Sequence, residues 1–191
     1  MIKHTGVYSI AAGDLIIAPP TVDSGLWAKT VILLGQHDED GSQGWVLNRT
    51  TNHYVSEILE GMNVDLMGRD WPLYWGGPVS PQTIWMLHSP EWHLDNTRRI
   101  DDNWSITSNQ AMFHHLADGD MPKYFKIFMG YTGWGADQLK QELTAEPPRK
   151  HSQSWLTLRD LDSQWVLDLD GEDLWRSAIG QSIQQSVDSL F

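Results

Sequence analysis

Three stretches of this sequence hold residue types that could do chemistry. His37-Asp38-Glu39-Asp40 sets an imidazole beside three carboxylates, and His37, Asp38 and Asp40 are the candidate ligands for a divalent metal. No second donor cluster completes a shell, and hairpin loops are commonly acidic because water solvates them, so no metal and no cofactor is expected. Asn48-Arg49 pairs an amide that both donates and accepts with a guanidinium fork suited to a carboxylate. An internal acid, Glu142 or Asp14, is the expected partner of Arg49. The stretch GYTGWGADQLKQEL places Gly130, Gly133 and Gly135 around Trp134 ahead of a short helical pattern. A glycine turn at a helix N-terminus can receive an anion on free backbone N–H groups. Its spacing is neither the dinucleotide fingerprint nor a P-loop, and no lysine follows. A tight turn with Trp134 as a packing wedge is therefore the expected use. Gln138 and Glu142, four apart, share a helix face away from Leu139 and Leu143 and can reach a neighbouring strand or a cleft. No G-x-S-x-G elbow presents a serine nucleophile. His88, His93, His114 and His115 have no ligand spacing, with His88 expected at a strand end and His115 on the buried side of a helix.

These residues need elements to position them. GDLIIA reads as a strand stopped by Pro19-Pro20, and Thr30 to Gln36 and Gly44 to Arg49 read as a hairpin turning at Asp40-Gly41. Val55, Ile58, Leu59 and Met62 recur at helical spacing. LYWGGPVSP and TIWMLHS are strands joined by a glycine-proline turn, and Asn103 to Thr107 is a further strand. Ser108 is the expected cap of a helix carrying Met112, His115 and Leu116, ended by Gly119 in a left-handed conformation. YFKIFMGY is a strand with bulk on both faces, running into the glycine turn. EPPRKHSQ is a loop, WLTL and WVLDL are short strands, and Trp175, Ile179 and Ile183 with Leu174 and Ala178 mark a final amphipathic helix. No linker or repeat divides residues 1–191, so a single domain is expected.

Composition limits the function. The chain is 40% hydrophobic and 20% charged, with no apolar run near the roughly 20 residues that span a bilayer. The first residues lack a secretory core, so a soluble, cytoplasmic protein without membrane contact is expected. Zero cysteines exclude disulfides, zinc-thiolate sites and a cysteine nucleophile. With 25 acidic against 13 basic residues the net charge is -12, and the only basic pairs are Arg98-Arg99 and Arg149-Lys150. Phosphate backbones would be repelled, so no direct DNA binding is expected. Eleven tryptophans are spread along the whole chain, which suggests core and near-surface packing, and an apolar patch for a partner or a second copy.

GYTGWGADQLKQEL, together with GDLIIAPP, TVILLGQHDEDGSQGWVLNR, YWGGPV, LHS and the DLW of the last helix, resembles the YqgE/AlgH family in order and over nearly the whole chain. Ala136-Asp137 stand where members often have proline then glycine, and Trp45 where they often have a small or aliphatic residue. The resemblance implies an α/β (α+β) fold: a single domain with a bent mixed β-sheet forming a pseudo-barrel and helices packed outside. It implies no established activity, and a transcriptional-regulator label travels with the family name. The expected function is a non-catalytic regulatory or interaction protein that meets a protein partner or its own copy. The candidate binding region comprises Asn48, Arg49, Gly76, Gly77, Trp134, Gly135, Gln138 and Glu142. The alternative is a small-molecule-binding or hydrolytic enzyme using a cleft near Asn48, Arg49 and the Trp134 loop.

Overall fold

The computed structural model describes residues 10–144, 155–159 and 163–189. EPPRKHSQ and Arg149-Lys150 lie outside the described residues, as does the chain start. In chain order the elements are β1 (Leu15–Ile17), β2 (Val31–Asp38), β3 (Gly41–Val46), β4 (Thr50–Tyr54), α1 (Val55–Ile58), β5 (Pro72–Trp75), β6 (Val79–His88), β7 (Arg98–Arg99) and β8 (Ser105–Thr107). They continue as α2 (Ala111–Asp118), β9 (Phe125–Gly135), α3 (Gln138–Thr144), β10 (Leu156–Leu158), α4 (Ser163–Asp168) and α5 (Gly171–Asp188).

β9 is common to two wings of one curled, half-barrel sheet. Along one side it pairs with β6, antiparallel. Along the other it pairs first with β5, parallel at Leu73↔Ile127 to Trp75↔Met129, and then with β3, antiparallel at Gly44↔Thr132 to Gly41↔Gly135. β3 leads through β2 and β1 to β10, while β6 leads through β8 to β7, and β4 lies on β5. The fold is thus mixed α/β with a bent sheet, as expected.

Period-two alternation sorts the apolar residues. Leu15, Ile17, Val31, Leu33 and Trp45 face the inside of the curl, where Phe128, Trp104 and Ile106 from the other wing and Val166, Leu174, Trp175 and Ala178 from α4 and α5 meet them. Ile16, Ile32, Leu34 and Val46 face outward under Trp134, Leu139 and Leu143 of the β9–α3 segment. Both faces of this wing are buried, which explains its near-continuous apolar strands. On the other wing Met86, Leu73 and Ile127 are covered by α1 and α2.

Several expectations need correction. The glycine motif is not a turn: β9 runs through Gly130, Gly133 and Gly135, and the chain turns only at Ala136-Asp137, with Asp137 at φ 58 ahead of the helix. At Gly130 glycine is required because strands crowd there, whereas a Cβ on Gly133 or Gly135 would meet nothing closer than 3.5 Å. A Cβ on Gly130 (φ 68) would sit 2.5 Å from the Gly77 carbonyl oxygen, and one on Gly77 (φ 151) 2.3 Å from that of Tyr131. β5 and β6 are joined through Gly76-Gly77-Pro78 as read, but they do not pair with each other, because β9 lies between them. The Val55–Met62 pattern yields a single helical turn, although its apolar side chains do pack inward. Ser108 does not cap α2; the Asn109 side chain accepts the Ala111 N–H instead. Gly119 ends that helix at φ 83 as expected. All of WVLDL but its last residue, Leu169, belongs to helix α4 rather than to a strand, because an inward Val166 and Leu167 serve a helix face there. Ile183 is 55% exposed, and Ser182 takes the buried position by donating to the Thr157 carbonyl.

Gly130→Ala is expected to cost at least about 2 kcal/mol, from its left-handed φ and the backbone it would strike, and to lower Tm by roughly 4–8 °C. Gly180→Ala, on an exposed stretch of α5 with no neighbour near the new Cβ, is expected to raise stability by about 0.5–1 kcal/mol. Thermal denaturation of both variants checks the contrast; equal effects would mean that crowding at β9 is not what selects glycine.

Candidate functional site

Of the sequence-derived candidates, Arg49, Trp134, Gly135, Gln138 and Glu142 lie along one aromatic chain on the outer face of the first wing. Arg49 is held by backbone carbonyls, donating to Leu26 at 2.6 Å and Ala28 at 3.2 Å, and its guanidinium stacks 5.2 Å from the Trp75 ring. Neither Glu142 nor Asp14 pairs with it: Asp14 faces Arg159, and the carbonyls of the β1–β2 loop come closer than either acid. Burial holds the Arg49 pKa below its ordinary value. Trp75 lies 6.0 Å from Trp27, and Trp27 lies 6.3 Å edge-on from Trp155. Glu142 closes the series, accepting from the indole N–H groups of Trp155 and Trp134, both at 3.1 Å. Gln138 donates to Glu142 and accepts from the Gly135 N–H. Leu139 and Leu143 are buried and Gln138 and Glu142 turn to this polar knot, as their spacing indicated.

Asn48 is buried in the link between β3 and β4. Its oxygen accepts from the Val31 N–H at 2.9 Å, and its nitrogen donates to the Lys29 and Gly171 carbonyls, both at 2.8 Å. It therefore ties β2 to the start of α5. Gly76 and Gly77 are buried under the same face, where Gly76 N–H donates to Met129 and Val46 N–H donates to Gly76.

The acidic hairpin is tighter than expected, since β2 extends to Asp38. Strand alternation then sends His37 and Asp38 to opposite faces. His37 shares a 2.7 Å hydrogen bond with Ser42, while Asp38 accepts from the Gln36 amide and the Asp40 N–H, which hold its carboxyl below the usual range. Among the described residues no three such donors converge. A shallow groove of about 440 Å³ runs beside this hairpin, floored by Tyr131, Gly133 and Trp134.

Inside the curl the structure holds a charge that the sequence reading passed over. Lys126 alternates with Ile127 on β9 and so faces the same side as Phe128, where it is buried. Its ammonium donates to Asp170 at 2.5 Å and to the carbonyls of Leu169 at 2.9 Å and Leu47 at 3.4 Å, and lies 4.7 Å from the Tyr74 ring. Tyr74 donates its hydroxyl to the same carboxylate. Burial lowers the Lys126 pKa, and burial together with Asp170 raises that of Tyr74. Asp170 is the first residue before α5, yet its side chain serves Lys126 and not the helix N–H groups. The available signal was a lysine inside an apolar strand on the phenylalanine face. His88 is buried at the end of β6 with Nδ1–H donating to the Ser89 carbonyl, and burial depresses its pKa. His115, by contrast, is half exposed beside Asp120, because α2 turns Met112 and Leu116 inward instead.

Asp170→Asn is expected to cost about 2–3 kcal/mol and Lys126→Met less, since the first leaves a buried ammonium without its counter-ion and the second leaves a half-exposed carboxylate that water can solvate. Urea unfolding of both variants checks the order. For His88, the folded pKa lies below the unfolded value of about 6.5, so its contribution is fully present above that pH and is lost as pH falls through the window beneath it. His88→Gln is therefore expected to flatten the loss of stability between about pH 7 and 5 relative to the parent, as read from urea midpoints.

Comparison with known proteins places this arrangement. The AlgH-like family matches residues 15–185. The chain is 35% identical over 167 residues to a UPF0301 protein of Shewanella denitrificans, covering 86% of each, and 31% identical over 173 residues to one of Xanthomonas campestris, covering 89% of this chain and 88% of that one. It is also similar to the solution structure of the AlgH protein from Pseudomonas aeruginosa, with a TM-score of 0.74, 26% identity, and coverage of 95% of this chain and 92% of that one. The curled sheet with its shared central strand is thus an AlgH-like fold, and this chain belongs to the AlgH-like family.

Proposed function

We propose that this chain is a non-catalytic interaction protein that takes an extended segment of a different protein along the outer edge of β4. The observation that carries this reading is the edge itself. Among the described residues β4 pairs only with β5, at Thr50 and Tyr54 with an irregular stretch between them, and Thr50, Asn52, His53 and Tyr54 are exposed along it. The His53 N–H is taken by the Thr51 hydroxyl and the Tyr54 N–H by Glu57, so an added segment would meet the backbone groups that these bonds leave. An unpaired strand edge is a template for an added strand, with main-chain hydrogen bonds giving affinity and adjacent side chains giving choice. Beside this edge stand Arg49 stacked on Trp75, half-buried Trp27 and exposed Leu26. Arg, Trp and Tyr are the types that dominate binding energy at protein interfaces.

The net charge of -12 opposes a second copy of the same chain and supports a different partner. The inward use of Asn48, Gln138 and Glu142 supports a scaffolding role for them over a hydrolytic cleft. The proposal includes a cytoplasmic setting and no direct contact with duplex DNA. Arg98 is spent on Gln36 and Gln43, and Arg99 on Asp102, so this basic pair is already engaged. An effect on transcription would run through the protein partner. Among the described residues no helix is long and apolar enough to cross a membrane.

A photo-crosslinking residue in place of Tyr54 is expected to yield an adduct with another protein in native cells, whereas the same residue at Gln181, on the exposed side of α5, does not. Leu26→Asp should abolish the Tyr54 adduct with Tm unchanged, Leu26 being 47% exposed. Self-adducts, equal adducts at both positions, or an adduct indifferent to Leu26→Asp would overturn the reading.

A further inference from the structure

The outer layer of the second wing contains a gap that its own side chains leave open. α1 ends after one turn, and between it and the start of α2 lies a cavity of about 390 Å³. Its walls are aliphatic and thioether groups from Ile58, Met62, Ile84 and Met129, with Phe113 behind them. Its rim, among the described residues, carries the neutral hydrogen-bonding groups of Gln82, Thr83, Ser108 and Gln110. Among the described residues that line it, none carries a charge. The volume falls within the range of small-molecule sites, roughly 300–1,000 Å³.

A second observation comes from the backbone that forms the floor. The ladder between β6 and β9 breaks between Val79 and Ile84. Ser80 sits at φ 47, a conformation costly for a residue with a side chain, and Pro81 follows with no N–H to give. Opposite the break, Gly130 adopts φ 68 and lies close to the Val79 carbonyl and the Pro81 Cα. A bulge of this kind swings Gln82 and Thr83 to the cavity mouth. Strain of this kind persists where surrounding structure enforces it, and it concentrates at ligand sites.

We infer that this cavity binds an uncharged, mainly aliphatic small molecule bearing one amide, ester or hydroxyl end. The aliphatic part fills the thioether pocket, where flexible methionines adapt to shape, and the polar end meets the amides and hydroxyls of the rim. A carboxylate or ammonium is rejected, because no counter-charge lines the cavity and burying an unpaired ion is costly. The site shares no residue with the β4 surface and stands independently of the function proposed there.

The test uses the full chain labelled with ¹³C at the methionine methyls, of which there are seven. Hexanamide is the probe, and hexanoate and hexylammonium are the charged comparisons. Saturable shifts are expected at Met62 and Met129 and not at Met67, which is 72% exposed, with no saturation by either ion. Ser108→Phe, at an exposed rim position, should weaken hexanamide at least tenfold with Tm retained. Thr83→Trp supplies the same block from the other side of the mouth. No saturable hexanamide shift, an equal response to hexanoate, or unchanged affinity in both variants would overturn the inference.

Discussion

One strand has to satisfy two sheets. β9 gives its first half to β5 and its last half to β3 on the same side, while β6 follows its other side. Two strands cannot share one edge unless the chain between them is squeezed out of the way. That chain is Gly76-Gly77-Pro78, pressed between β3 and β9 so closely that a Cβ on Gly76 would lie 2.4 Å from the Gly130 carbonyl oxygen. Three glycines therefore meet where the sheet branches. The parallel β5–β9 pairing, the curl and the separation of inner from outer core all follow from this crossing.

The curl then creates an inside, and α5 has to be aimed at it. Apolar packing of Leu174, Trp175 and Ala178 holds the helix down but leaves its register along the groove loosely defined. Lys126 and Asn48 supply what packing lacks. The lysine reaches the Leu169 carbonyl and Asp170, and the amide reaches the Gly171 carbonyl, so three consecutive residues at the helix start are each fixed by a polar partner from the sheet. A buried charge is weak evidence for stability, since desolvation offsets most of its attraction. Its value here is positional, because a helix shifted by one turn would strand the ammonium.

Local rules made much of this legible. The Asp40-Gly41 hairpin, the Gly119 helix end, the apolar runs of β1 and β2 and the burial of Leu139 and Leu143 each rest on neighbours close in sequence. The misreadings share a cause in long-range structure. Glycines after YFKIFM read as a turn because local propensity cannot see the Gly77 backbone that excludes side chains at Gly130. Lys126 read as an ordinary alternation partner because Asp170 lies 44 residues away. Arg49 was assigned an acid because charge is visible in sequence and backbone carbonyls such as Leu26 and Ala28 are not. Of the candidate site, Glu142, Gln138, Trp134 and Gly135 do form one connected group, yet Trp27, Trp75 and Trp155, which link it to Arg49, carried no motif.

The direction in which polar groups point bears on what kind of surface the chain offers. Asn48, Glu142 and Lys126 all spend their hydrogen-bonding capacity on the chain's own backbone, indoles and helix start, and a group so engaged would have to break those bonds to reach a substrate. What remains outward near them is different in kind: a strand edge with backbone groups, a cation on an indole face, and isolated apolar side chains at Leu26 and Tyr54. Such groups recognise shape and main chain, which suits an extended polypeptide. Rigid anchoring of Arg49 by the Leu26 and Ala28 carbonyls strengthens this, because a preorganised guanidinium loses little rotamer freedom when a partner covers it. The same internal bonds that hold these residues in place thus leave the patch beside β4 preorganised, in keeping with the binding proposed there.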